Sequence, residues 1–73
     1  MRNVQGKNYF KDNLKTLRKE AGLGQVALAE ILHVGKSSIS AWELGQQEPG
    51  MSALIKIADY FEVPLDYLVG RED

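Results

Sequence analysis

The chain contains no cysteine, two prolines, one histidine and one tryptophan among 73 residues. Without cysteine there is no disulfide framework and no thiolate metal site, so a small core must hold the fold unaided, near the lower size limit for doing so. A single histidine with no second His or Cys makes a poor metal ligand or catalyst. No apolar run approaches the roughly 18 residues that a membrane span requires. The opening MRNVQGKNYF lacks the apolar centre of a signal peptide. These absences predict a soluble, cytoplasmic protein with no cofactor. A dominant charge is missing as well: nine Lys and Arg face ten Asp and Glu, for a net charge of −1. Taken alone, that balance argues against a nucleic-acid ligand.

The distribution of charge says more than the total. Residues 1–36 hold seven basic groups (Arg2, Lys7, Lys11, Lys15, Arg18, Lys19, Lys36) against three acidic ones (Asp12, Glu20, Glu30). Residues 37–73 hold two basic groups (Lys56, Arg71) against seven acidic ones (Glu43, Glu48, Asp59, Glu62, Asp66, Glu72, Asp73). One half is therefore +4 and the other −5. A dipolar molecule of this kind can present its positive side to phosphate.

Apolar spacing predicts helices throughout and no strand. Phe10, Leu14, Leu17 and Ala21 recur at helical intervals, giving a first helix over about Asn8 to Ala21, closed by Gly22. A second helix starts near Gln25 and places Leu28, Ala29 and Leu32 on one face, with Ala29 small enough for another helix to approach closely. His33, Val34 and Gly35 form the break. A third helix over Lys36 to Leu44 shares Ile39 and Trp42 on its inner side, which leaves Lys36, Ser37, Ser38, Ser40 and Ala41 elsewhere. GQQEPG from Gly45 to Gly50 is a loop by its Gly and Pro content. A fourth helix over Ser52 to Phe61 is expected to bury Leu54, Ile57, Ala58 and Phe61. It breaks at Val63-Pro64, and Pro64 suits the first turn of a fifth helix carrying Leu65 and Leu68 and ended by Gly70. The expected organisation is a flexible arm over 1–7, one folded domain over 8–70 and a tail over 71–73.

QVALAEILHVGKSSISAWEL, from Gln25 to Leu44, thus reads as two short helices about a three-residue turn. That is the layout of a helix-turn-helix, whose second helix can enter the major groove of DNA. The wider pattern resembles the Cro/cI-type (XRE) helix-turn-helix of phage repressors and small bacterial regulators. It combines the LxxLR start at Leu14, GLGQ, the LA pair, SSISAWE, a proline-containing loop and VPLDYLVG, and covers roughly Leu14 to Gly70. The resemblance implies an all-α, compact five-helix bundle of the lambda-repressor-like type. It also implies a homodimer bound to palindromic double-stranded DNA, repressing transcription or less often activating it.

By the same resemblance, Gln25 matches a glutamine that clamps a phosphate, beside free backbone N–H groups at a helix start. Lys36, Ser37 and Ala41 match positions that reach base edges, whereas Ser38, Gln46 and Gln47 match positions along the DNA backbone. Lys36 can meet guanine O6 or N7, or else a phosphate, and Ala41 can offer a methyl contact to thymine. Arg18 and Glu43 match an ion pair that joins the first helix to the end of the third. Three departures stand out: His33 where the family has Gly, Gly35 where it has a Ser or Thr cap, and Ala41, Leu44, Gln46 and Gln47 where it often has polar or basic groups. Fewer cationic contacts predict modest affinity and a shallow salt dependence.

A second function compatible with the sequence is a protein-interaction module, or an antitoxin-like domain that binds a protein partner while retaining the fold. Tyr60, Phe61, Val63, Leu65, Tyr67, Leu68 and Val69 exceed what a five-helix core must bury, and some can serve a twofold or partner interface. Catalysis has little support: Asp59 and Glu62 lie three apart, but no nucleophile–base pair, ligand cluster or phosphate-cradling glycine loop accompanies them.

Overall fold

The computed structural model describes residues 9–70. Five helices follow one another: α1 Tyr9–Glu20, α2 Gln25–Leu32, α3 Lys36–Leu44, α4 Met51–Phe61 and α5 Leu65–Val69. No strand occurs among the described residues. The expected terminal arm and tail, and Asn8 as a helix start, lie outside them. Ala21 falls beyond the last turn of α1 and is exposed, so it does not extend the buried face of that helix. Helix α4 starts one residue earlier than its spacing implied, and Pro64 is the cap preceding α5 rather than part of its first turn.

Each helix contributes one completely buried side chain: Leu14, Leu28, Ile39, Ile57 and Leu68. Phe10, Ala29, Leu32, Trp42 and Ala58 complete the core, with the Phe10 and Trp42 rings edge-on at 6.5 Å and 70°. Leu54 and Phe61 pack against this core but are only partly buried, contrary to expectation. None of these helices is long enough to persist alone, so packing rather than propensity stabilises them.

The helix ends are set by backbone geometry. Each of the five helices is followed by a residue in the left-handed region: Gly22, His33, Gly45, Glu62 and Gly70. At the end of α2, His33 has φ 61° and ψ 45°, and the N–H of Val34 returns to the carbonyl of Ala29 at 2.9 Å. That closure satisfies carbonyls the helix leaves open and turns the chain sharply toward α3. Histidine tolerates this conformation at some cost where glycine would not be strained. Gly70 is under a second constraint, because a Cβ there would lie 2.0 Å from the Cβ of Tyr9. The end of α5 thus rests directly on the start of α1.

Two side chains reach from one helix to the end of a distant one. The Asn13 amide donates to the carbonyls of Tyr67 at 2.9 Å and Leu68 at 3.3 Å, capping α5 from α1. The Lys56 ammonium donates to the carbonyl of Leu32 at 3.2 Å, capping α2 from α4. A cation at a helix C-terminus also meets the negative end of its dipole. Both contacts escape sequence reading, since no local pattern links residues so far apart in the chain.

Candidate nucleic-acid interface

Helix α3 packs against both α1 and α2, and this double support decides which of its faces is free. Ile39 and Trp42 point inward and are buried. Lys36, Ser37 and Leu44 are exposed, and Ser38, Ser40 and Ala41 are half-buried. Gln46 and Gln47 follow in the loop and are exposed. The residues assigned to a DNA surface on sequence grounds are therefore not covered by the core.

A polar node fixes the angle at which α3 is held. Arg18 grips Glu43 with two parallel hydrogen bonds, Nε to Oε2 at 2.6 Å and Nη2 to Oε1 at 3.0 Å. Its remaining nitrogen donates to the carbonyl of Leu23 at 2.8 Å. Gln25 adds a bond from Nε2 to Glu43 Oε1 at 3.1 Å. One node thereby joins α1, the α1–α2 turn, the first residue of α2 and the end of α3. The two charged side chains are only 10% and 4% exposed. Fork-to-fork pairing of this kind restrains orientation as well as distance.

The node also sets the charge state of its members. Burial pushes the Glu43 carboxyl up, but the hydrogen bonds from Arg18 and Gln25 and the charges of Arg18 and Lys15 prevail and hold it below the usual carboxylate range. For Arg18, the hydrogen bond to Glu43 outweighs the burial that opposes it and raises the pKa. Glu43 thus remains an anion at neutral pH while facing away from the exposed side of α3. The carboxylate of α3 is thus paired within the fold.

Gln25 was assigned a phosphate contact, and the structure gives its amide a second partner not foreseen in the sequence. One amide hydrogen serves Glu43, which orients the amide plane at the mouth of α2. No side chain caps the start of α2 at Gly24 or of α3 at Gly35. Their first backbone N–H groups therefore lack a side-chain acceptor, a property of anion-binding helix starts. Among the described residues no cluster of His, Cys, Asp or Glu suits a metal ion. No helix of the described residues is long and apolar enough to cross a membrane.

The profile of the helix-turn-helix family matches residues 14–68, which takes in the node, the turn and all of α3. The chain belongs to the Cro/cI-type helix-turn-helix family. It is 40% identical over 63 residues to YqaE of Bacillus subtilis, an uncharacterized HTH-type transcriptional regulator, covering 86% of this chain and 54% of that protein. It is 39% identical over 64 residues to the HTH-type transcriptional activator BcrR of Enterococcus faecalis, covering 88% of this chain and 31% of the relative. The chain thus spans about half or less of the length of these curated relatives. Among solved structures, the P22 c2 repressor in complex with a synthetic operator superposes with a TM-score of 0.80 at 25% identity. That likeness covers 86% of this chain and 96% of the repressor chain. A transcriptional regulator from Listeria innocua superposes with a TM-score of 0.86 at 34% identity, covering 92% of this chain and 63% of that one. This family's five-helix, lambda-repressor-like architecture is the one described above.

Proposed function

We propose that this chain binds double-stranded DNA as a transcriptional regulator, acting as a repressor, with α3 in the major groove. The observation that carries the reading is the outward face of α3, held rigid by Ile39, Trp42 and the Arg18–Glu43 pair yet left uncovered. Gln25, Ser38, Gln46 and Gln47 are assigned to the DNA backbone, and Lys36, Ser37 and Ala41 to base edges. Lys36 lies in the first turn of α3, the end from which recognition helices of this layout meet bases. The free amide hydrogen of Gln25 and the open N–H groups of α2 form one donor set for a phosphate oxygen. Regulators with the same helix-turn-helix, one of them solved on its operator, support the assignment by likeness.

Two copies on a palindromic operator complete the proposal. Short serines and one alanine discriminate weakly, and two half-sites one helical turn apart multiply what one copy can achieve. Tyr60, Leu65, Tyr67 and Val69 are exposed near the C-terminal end and supply apolar surface for a twofold contact. Asp59, Glu62 and Asp66 lie exposed among them, which also suits a basic protein partner and keeps the antitoxin-like alternative in view.

Selection from random duplexes, followed by titration at about 50 and 200 mM salt, tests the reading. DNA binding through phosphate contacts weakens as salt rises, and a dimer enriches an inverted repeat. Failure to enrich any sequence, with no salt-sensitive retention of duplex DNA, would refute it. Light scattering that finds one copy per duplex would remove the dimer alone.

A further inference from the structure

We infer that Lys56, outside the helix-turn-helix, is a positioning residue for DNA recognition: by holding the last carbonyl of α2 it fixes the turn at His33, and with it the end of α3 that carries Lys36. The inference rests on the DNA-binding reading above and deepens it. Lys56 stands on α4, which packs on α2 and α5, and it is the only Lys or Arg in residues 37–70.

The carbonyls at the end of α2 are divided among three donors. The N–H of Val34 takes Ala29 at 2.9 Å, and that of His33 takes Glu30 at 3.3 Å. The Leu32 carbonyl receives the Lys56 ammonium at 3.2 Å. That carbonyl belongs to the peptide unit leading into His33, so the bond fixes the plane from which the φ of His33 is measured. His33 is held at φ 61° without being glycine. A side chain persists in that region only where its surroundings over-determine the backbone. The Lys56 bond is one such determinant, and it comes from outside the two helices that the turn joins. Its charge strengthens the bond and meets the negative end of the α2 dipole.

The helix-turn-helix is therefore fastened at both ends, by different helices. At one end the Arg18 node of α1 ties Glu43, near the close of α3, to Gln25 at the start of α2. At the other, Lys56 of α4 holds the close of α2, and the turn carries that restraint into the start of α3. Gly35 supplies no side-chain cap there, so the first turn of α3 has no local anchor of its own. The first fastening borders the donor set assigned to a phosphate. The second borders Lys36, which is exposed and follows His33 by three residues. Reading a base edge requires well-aligned hydrogen bonds, so a small rotation of the turn costs discrimination. Phosphate contacts are largely electrostatic and tolerate it better.

The test compares the full chain with its Lys56→Met variant, which keeps the stem and removes the donor. Both are titrated with the duplex that the parent selects from a random pool and with a scrambled duplex of equal length. Thermal denaturation fixes a temperature at which both proteins are folded, and titrations are made there. Affinity of Lys56→Met for the selected duplex should fall about fivefold, within the range by which a remote residue modulates coupling. Affinity for the scrambled duplex should change by less than about twofold, as for independent sites. The lost preference should lie at the base pair where Lys36→Ala also loses it. The salt slope should match the parent's, whereas a lysine in contact with a phosphate contributes about one to it. Without DNA, the amide of Val34 should exchange faster in the variant, while that of Gln46, bonded to Ala41 at the far end of α3, keeps its parental rate. An equal loss on both duplexes with a lower salt slope would make Lys56 a phosphate contact and overturn the inference. An unchanged preference would overturn it too, as would a variant that folds at no temperature. Each of those outcomes leaves the DNA reading standing, because the parent still selects its duplex. If the parent selects none, both readings fall together.

Discussion

Replacing Glu43 with alanine tests whether the polar node or the apolar core holds α3 in place. The substitution removes both acceptors of the Arg18 fork and the partner of Gln25. Arg18, whose side chain is 10% exposed, keeps only its bond to the Leu23 carbonyl. Breaking one side of a buried pair costs about 3–5 kcal/mol, because the remaining charge is left without compensation. The surviving Leu23 bond places the expected loss near the lower end, about 3 kcal/mol. For a domain of this size each kcal/mol corresponds to about 4–8 °C, so the melting temperature should fall by about 12–24 °C. Thermal denaturation followed by helical circular dichroism and by Trp42 fluorescence measures it. A shift under 3 °C would refute the reasoning, since the node would then carry no stability. Arg18→Met with Glu43→Leu should recover most of the loss, because an apolar pair leaves no charge stranded. The pH dependence has a definite sign. Glu43 is held below the usual carboxylate range in the folded chain, so its contribution is complete above the unfolded carboxylate value, roughly pH 4.3. It is lost as pH falls through the lower, native value. The stability gap between parent and Glu43→Ala should stay level from neutral pH to about 5 and narrow below about 4.

Other substitutions probe the helix ends and the candidate surface. His33→Gly should stabilise the fold by about 0.5–1 kcal/mol, because glycine relieves the left-handed strain at φ 61° but loses more chain entropy; urea denaturation measures the gain. Gly70→Ala should destabilise by about 2–4 kcal/mol, since its Cβ would collide with Tyr9 at a left-handed backbone position; an unchanged urea midpoint would contradict the contact. Asn13→Ala should cost about 1 kcal/mol by uncapping α5, with earlier amide exchange near Tyr67 as the local signature. Lys36→Ala should leave the melting curve within about 0.5 kcal/mol of the parent while relaxing base preference at one position of each half-site by about 1–3 kcal/mol, read by titration against single-substituted duplexes.

The helices were legible because each carries enough apolar residues at helical spacing to declare its inner face. The turn was legible because His33, Val34 and Gly35 interrupt that spacing, and His33, standing where the family has Gly, takes the left-handed conformation. Boundaries slipped where one side chain is a weak guide, as at Ala21, which is apolar by type but lies past the end of α1. Burial was overestimated at Leu54 and Phe61, because periodicity identifies a side of a helix but not how far the opposing core extends. Within the candidate site, Arg18 and Glu43 were linked through resemblance, and the structure adds Gln25 and the Leu23 carbonyl to them. Nothing in the local sequence announces that second layer. It depends on three chain segments converging, which only the tertiary packing determines.

The separation of α3 into a fastened side and an open side has a consequence for how such chains diverge. Ile39, Trp42 and Glu43 answer to the fold, while Ser37 and Leu44 face outward and are exposed. On the DNA-binding reading proposed above, substitutions at the exposed Ser37 and Leu44 should alter the target while scarcely touching the melting curve. A regulator of that kind would acquire a new address without first passing through an unstable intermediate.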